Sequence, residues 1–166
     1  MTQEIPNAAH MLAVITQQED ALQFDRFTFE DGWKLGLILR ERALAHGGNT
    51  AMDITVGGVQ LFRCVAGYPT PNNTRWIRRK MNVTAENWKS SLRVTLEISQ
   101  SERTLDEYGL KAEDYALSGG CFPIRLRGQG MIGTVTVSGL PQTHDHQTVV
   151  DAMAQFLGIS VPSVLD

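Results

Sequence analysis

CFPIRLRGQGMIGTVTV, from Cys121 to Val137, reads as two strands joined by a tight turn. Cys121 to Arg127 and Met131 to Val137 flank Gly128-Gln129-Gly130, and in the second run β-branched Ile132, Val135 and Val137 stand with Thr134 and Thr136 between them. A connection this short joins antiparallel neighbours, because a parallel return needs a crossover of a dozen residues or more. The turn also spells G-x-G-x-x-G as far as Gly133. A dinucleotide-binding loop leads from a strand into a helix, whereas this one leads into a second strand, so that reading fails on context.

Outward from this hairpin the pattern changes period. Downstream, Thr143 to Leu157 places Val149, Val150, Met153, Phe156 and Leu157 at helical spacing and stops at Gly158. Upstream, Ala51 to Val56 and Val59 to Ala66 form another strand pair about Gly57-Gly58, a two-residue turn that needs positive φ. Two helices precede that pair. Ala8 to Leu22 is rich in helix formers. The second helix is capped by Thr28, carries Glu30 and Asp31 in its first turn, sets Phe29, Trp33, Gly36, Leu37 and Leu44 at helical spacing, and ends at Gly47-Gly48.

Between the hairpins, Gly67 to Asn73 reads as a loop with Asn73 as cap, followed by a short basic helix, Arg75 to Met81. Thr84 to Gln100 is ambiguous: Leu92, Val94, Leu96 and Ile98 alternate like a strand, while Trp88, Leu92, Thr95 and Ser99 make a helical stripe. The cap at Thr84 and the length favour a helix. Thr104 to Tyr108 and Ala112 to Tyr115 read as single helical turns. The order α-α-β-β-α-α-β-β-α predicts one α+β domain over 1–166, an antiparallel sheet with helices packed on it.

Composition narrows the function classes. With 166 residues, 42% hydrophobic and 20% charged, the chain is an ordinary globular domain, not a disordered or disulfide-stapled one. No apolar run approaches the ~20 residues of a membrane span. Met1 to Pro6 has neither the basic nor the apolar part of a secretory signal, so a cytoplasmic protein is expected, bound to neither membrane nor nucleic acid. The net charge of −3 hides an asymmetry. Leu61 to Arg93 holds Arg63, Arg75, Arg78, Arg79, Lys80, Lys89 and Arg93 against the single acid Glu86, a local +6 that leaves −9 elsewhere. Such a basic third suits an anion-binding site, complementary surfaces in an oligomer, or a solvated helix face.

No catalytic constellation stands out. Cys64 and Cys121 lie in strands without a CxxC pattern and read as apolar fillers, so no metal site is expected. His144 and His146 sit two apart on a helix and diverge, which favours surface or capping roles, and His10 and His46 are isolated. Trp76 beside Arg75 and Arg79 offers an aromatic face with guanidinium groups, suited to a planar anion or to a subunit interface.

Several of these residues form a recognisable set: Asn73-x-x-Trp76-Ile77-x-Arg79-Lys80, Ser90-Ser91, Gly119-Gly120-Cys121-Phe122-Pro123-Ile124, and Gly133 with Val137-Ser138-Gly139-Leu140-Pro141 and Asp145-His146. In them the chain resembles the haem-degrading-domain family of GlcG-like and HbpS-like proteins, in particular its short single-domain members. The resemblance implies a profilin-like sandwich with a five-stranded antiparallel sheet, assembly into homo-oligomers, and haem as a candidate cofactor. Ser118 stands where members of the subgroup often carry histidine. The candidate ligand-binding residues are then Trp76 to stack, Arg79 and Lys80 to pair with carboxylates, and Gly119, Gly120, Phe122 and Ser138 in the turns that wall the pocket, with His146 beside them. Whether the protein is an enzyme stays open, since any catalysis would come from bound iron and not from a protein nucleophile. The competing expectation is a non-enzymatic assembly protein whose basic segment docks on the acidic remainder of a neighbouring copy or partner.

Overall fold

The computed structural model describes residues 7–101 and 103–166; the Met1 to Pro6 segment, on which the secretory-signal expectation rests, lies outside them. Along the chain run α1 (Ala8–Ala21), α2 (Phe29–Ala45), β1 (Thr50–Val56), β2 (Val59–Ala66), α3 (Pro71–Asn87), α4 (Ser91–Ser99), a 3-10 turn (Asp106–Tyr108), β3 (Cys121–Leu126), β4 (Gly130–Ser138) and α5 (Gln142–Leu157). The strands form one antiparallel sheet in the order β2-β1-β4-β3. Among the described residues the sheet thus has four strands, not the five implied by family resemblance. Each hairpin supplies two, and the long stretch between them folds as helices and turns.

The sheet has two unlike buried faces. Met52, Ile54, Phe62, Phe122, Ile124, Val135 and Val137 join Leu35 and Leu39 of α2 and Val149, Val150 and Met153 of α5 in the main core. Gly36 lets α2 approach, since a Cβ there would stand 2.3 Å from the Phe62 ring. The opposite face carries Asp53, Cys121, Thr134, Thr136 and Ser138, all buried under α3. Asp53 pairs in register with Thr136, and Thr136 with Cys121. The threonines of β4 therefore mark a second interior, where polar groups meet one another: Thr136 Oγ1 donates to Cys121 Sγ at 3.1 Å, and Asp53 accepts from Thr55 and Gln60.

Local chemistry moves three helix boundaries. α3 begins four residues earlier than the sequence suggested, because Thr70 is the cap, Pro71 occupies the first turn, and Asn73 Oδ1 accepts from the Thr70 N–H at 3.0 Å. Thr84 starts no new segment. It is buried within α3, its hydroxyl towards the Cys121 carbonyl at 3.5 Å, and the helix stops only at Trp88, which takes φ 54°. Ser90 then caps α4, accepting from the Arg93 N–H. Ala112 to Tyr115 forms a turn without helix. The expectation for α2 also changes in one respect. Gly32, Leu35, Gly36, Leu39 and Ala43 face the core, whereas Phe29, Trp33, Leu37 and Leu44 lie exposed along the flank.

α1 and the segment after α5 meet on one side. Val164 packs with Val14 and Ile15 of α1 and Leu92 and Leu96 of α4. Gln18 Nε2 donates to the Pro162 carbonyl at 2.8 Å, and Gln147 Oε1 accepts from the Val164 N–H at 3.0 Å.

Candidate functional site

α3 crosses the polar sheet face so that its residues 72, 73, 76 and 80, one side of the helix at this spacing, look towards the turn between β4 and α5. A pocket of about 240 Å³ opens there. Asn72, Asn73 and Trp76 line it on the helix side, Ser118 and Ser138 on the sheet side, and Gly139 and Leu140 at the turn, with Lys80 and Asp145 at its base. Asn73 Nδ2 donates to the Ser138 carbonyl at 3.3 Å and ties helix to strand. The first turn of α3 holds no acidic residue to offset the positive end of its dipole.

Lys80 and Asp145 form an ion pair at 2.7 Å, both side chains only 2% exposed. Lys80 Nζ also donates to the Val137 carbonyl at 3.2 Å, and Asp145 accepts from the backbone N–H of Leu140 at 2.9 Å and Gly139 at 3.3 Å. Burial pushes the Asp145 carboxyl above its ordinary range, opposed by Lys80 and the two backbone donors. Gly120, at φ 125°, covers the pair: a Cβ there would stand 2.4 Å from the Val137 carbonyl oxygen and 2.8 Å from Lys80 Nζ. A side chain at Gly119 would strike the Gln142 carbonyl oxygen at 2.4 Å. The two glycines thus permit the close approach of β3 to this corner.

Of the residues proposed from sequence, Trp76, Lys80 and Ser138 line this pocket, and Gly119 and Gly120 back it. Arg79 stacks on Trp76, 4.7 Å from the ring centroid, but its guanidinium donates to the carbonyls of Ala112 and Tyr115 at 2.6 and 3.3 Å, pinning that loop. Phe122 and His146 lie elsewhere, in the interior on the α5 side, their rings 5.7 Å apart. His146 is fully buried, not a surface or capping residue, because α5 turns it inward. Its Nε2 meets Gln18 Oε1 at 2.9 Å, its Nδ1 has no partner, and burial lowers its pKa to about 3. Asn72 escaped the sequence reading, and Asp145 entered it only beside His146 in the family set, since its partner lies 65 positions away.

The basic third of the sequence is largely neutralised within the chain. Arg63 meets Asp53, Arg78 meets Asp114, Lys80 meets Asp145, Lys89 meets Glu97, and Arg93 meets Glu19 and Glu97. The two charged halves of the sequence thus meet inside one copy, which removes most of the expected basis for docking between copies by charge. Among the described residues no cluster of three His, Cys, Asp or Glu could hold a metal ion, and no helix is long and apolar enough to cross a membrane.

The family model described as haem degrading protein HbpS-like matches residues 27–154. A UPF0303 protein of Rhizobium etli is 42% identical over 146 residues, covering 88% of this chain and 89% of its own. The crystal structure of the Ybr137w protein superposes with a TM-score of 0.80 at 27% identity, covering 89% of this chain and 87% of that one. The crystal structure of a PduOC:Heme complex shares the fold, with a TM-score of 0.63 at 16% identity, covering 82% of this chain and 97% of that one. With a family match that spans most of the chain and takes in both hairpins, α3 and nearly all of α5, the protein belongs to the HbpS-like family of haem degrading proteins.

Proposed function

We propose that this member of the family binds a small planar anion in the Trp76–Ser138 pocket. The observation that carries the reading is the meeting of an indole, an acid-free helix N-terminus and two serines around one opening. A single-ring carboxylate stacks on Trp76 and takes hydrogen bonds from Ser118, Ser138 and the asparagine amides. Haem, the ligand in the PduOC:Heme complex, does not fit the lining of this pocket. At about 240 Å³ the pocket has room for one ring and not for a porphyrin, which needs the larger part of the ~300–1,000 Å³ typical of ligand sites. Its lining has no histidine, cysteine, methionine or tyrosine to ligate iron, and Lys80 is already engaged by Asp145.

Nicotinate and haemin, titrated separately and followed by tryptophan fluorescence and Soret absorbance, test this. Nicotinate gives a saturable change that Trp76→Ala weakens by about tenfold, the loss of one stacking contact. A haemin Soret shift that responds to Trp76→Ala, with no response to nicotinate, overturns it.

A specific observation favours a second property, homo-oligomeric assembly. Phe29, Trp33 and Leu37 recur every four residues on α2 and are 62%, 52% and 45% exposed, with Leu44 on the same line at 44%. Val59 and Val65 of the edge strand β2 are also exposed. An apolar stripe beside an open sheet edge is the surface a second copy covers. Light scattering of the double variant Trp33→Lys, Leu37→Lys is expected to give the mass of a single chain where the parent gives a multiple. Equal masses count against the interface.

A further inference from the structure

A second pocket, of about 310 Å³, lies at the other end of α3. Met81, Asn82 and Ala85 of α3 form its roof, Thr55, Ile132 and Thr134 of the sheet form its floor, and the Gly57-Gly58 turn, Met131 and Trp88 close its sides. No ionisable side chain lines it. A charged ligand would lose its hydration there without a counter-charge, so the chemistry selects a neutral one. Two thioethers and an indole face this space, and polarisable sulfur and an aromatic plane favour an aromatic guest. The volume, at the lower end of the ~300–1,000 Å³ typical of ligand sites, suits one or two fused rings.

Two further features bear on what this pocket can hold. Trp88 holds φ 54°, a left-handed conformation rare for a bulky residue. It is kept there by its N–H on the Thr84 carbonyl at 2.8 Å and by Arg125, which donates to the Trp88 carbonyl. Its ring lies over Gly130, where a Cβ would stand 2.9 Å from Cζ3, yet the residue stays 55% exposed. The left-handed turn thus fixes the indole at the pocket edge without burying it. The second feature is Thr134, 4% exposed, whose Oγ1 is buried with no hydrogen-bond partner. The other hydroxyl of the floor is engaged, since Thr55 Oγ1 donates to Asp53 Oδ1 at 2.6 Å. Because the Thr134 hydroxyl gains nothing where it stands, turning it to a ligand forfeits no bond.

We propose that this pocket binds a small neutral aromatic molecule bearing one hydrogen-bonding group, which stacks on Trp88 and bonds to the Thr134 hydroxyl. The site differs in place and charge preference from the Trp76 pocket, and the two lie at opposite ends of the groove between α3 and β4.

Titration with 2-naphthol, followed by NMR, tests the proposal. Saturable shifts are expected at the Trp88 indole N–H, the Gly57 and Gly58 amides and the Met81 and Met131 methyls, with the Trp76 indole unmoved. Thr134→Val keeps the shape and removes the hydroxyl, so it weakens naphthol binding about tenfold, the worth of one hydrogen bond, while the thermal midpoint holds or rises. 2-Naphthoate, the anion of similar shape, binds at least about tenfold more weakly, through the cost of desolvating its charge. The proposal is overturned by the absence of saturable shifts, by shifts centred on Trp76, by equal binding of naphthoate, or by parent-like affinity in Thr134→Val. It also falls if the pocket signals already depend on protein concentration before naphthol is added, because a second copy then fills the space.

Discussion

Lys80→Met lowers the unfolding free energy by about 3–5 kcal/mol, the cost of leaving one member of a buried ion pair without its partner. The side chain of Asp145 is 2% exposed and would remain enclosed with only the N–H groups of Gly139 and Leu140 to hold its charge. Its carboxyl, already raised by burial, rises further and takes up a proton. A loss of that size is a fifth or more of the ~5–15 kcal/mol of a typical domain. Urea denaturation measures it directly. The double variant Lys80→Met, Asp145→Leu recovers most of the loss, because two apolar groups of suitable volume leave no charge to desolvate. A single variant as stable as the parent would show that water reaches the pair from the adjoining pocket.

The second large effect is acid sensitivity. His146 titrates at about 3 in the folded chain against an ordinary 6.5, wholly because of burial. Above pH 6.5 both folded and unfolded states hold it neutral, so it contributes no pH dependence there. Below that, the unfolded chain takes up a proton that the folded chain refuses, and stability falls by ~1.4 kcal/mol per pH unit towards a total near 5 kcal/mol at pH 3. His146→Gln removes this proton from the balance. Between pH 6.5 and 4 the stability of the variant is expected to fall less steeply than the parent's, by one proton's slope; parallel slopes would place His146 in contact with solvent.

Both effects arise where tertiary neighbours reinterpret a local pattern. Gly57-Gly58, the β-branched alternation of β4 and the Thr28 capping box are complete within a few residues, so the hairpins and the start of α2 could be read directly. Lys80 belongs to an Arg-Arg-Lys run that looks solvated until Asp145 is brought to it from the next layer. His144 and His146 share a motif, but the helix turns one into the interior and leaves the other half-exposed. The apolar series on α2 had the right period for a core face, yet the two glycines beside it decide which side packs, since only they admit Leu61 and Phe62. The fifth strand came from resemblance; among the described residues Phe24 alone adds to the four strands, as a single parallel bridge to Leu126. The pocket at Trp88 had no signature because its parts, a left-handed indole and an unpaired hydroxyl, are defined by conformation and not by residue type.

The meeting of α1 with the segment after α5 gives two stretches outside residues 27–154 a common duty. Gln18 closes over His146 and holds Pro162, Gln147 holds Val164, and Val164 seals Leu92 and Leu96. They work as the two halves of one clasp. A chain trimmed to the matched limits would lose both halves together, exposing the apolar side of α4 and stripping the buried imidazole of its hydrogen-bond partner. The folded unit is therefore longer at each end than the segment that identifies the family.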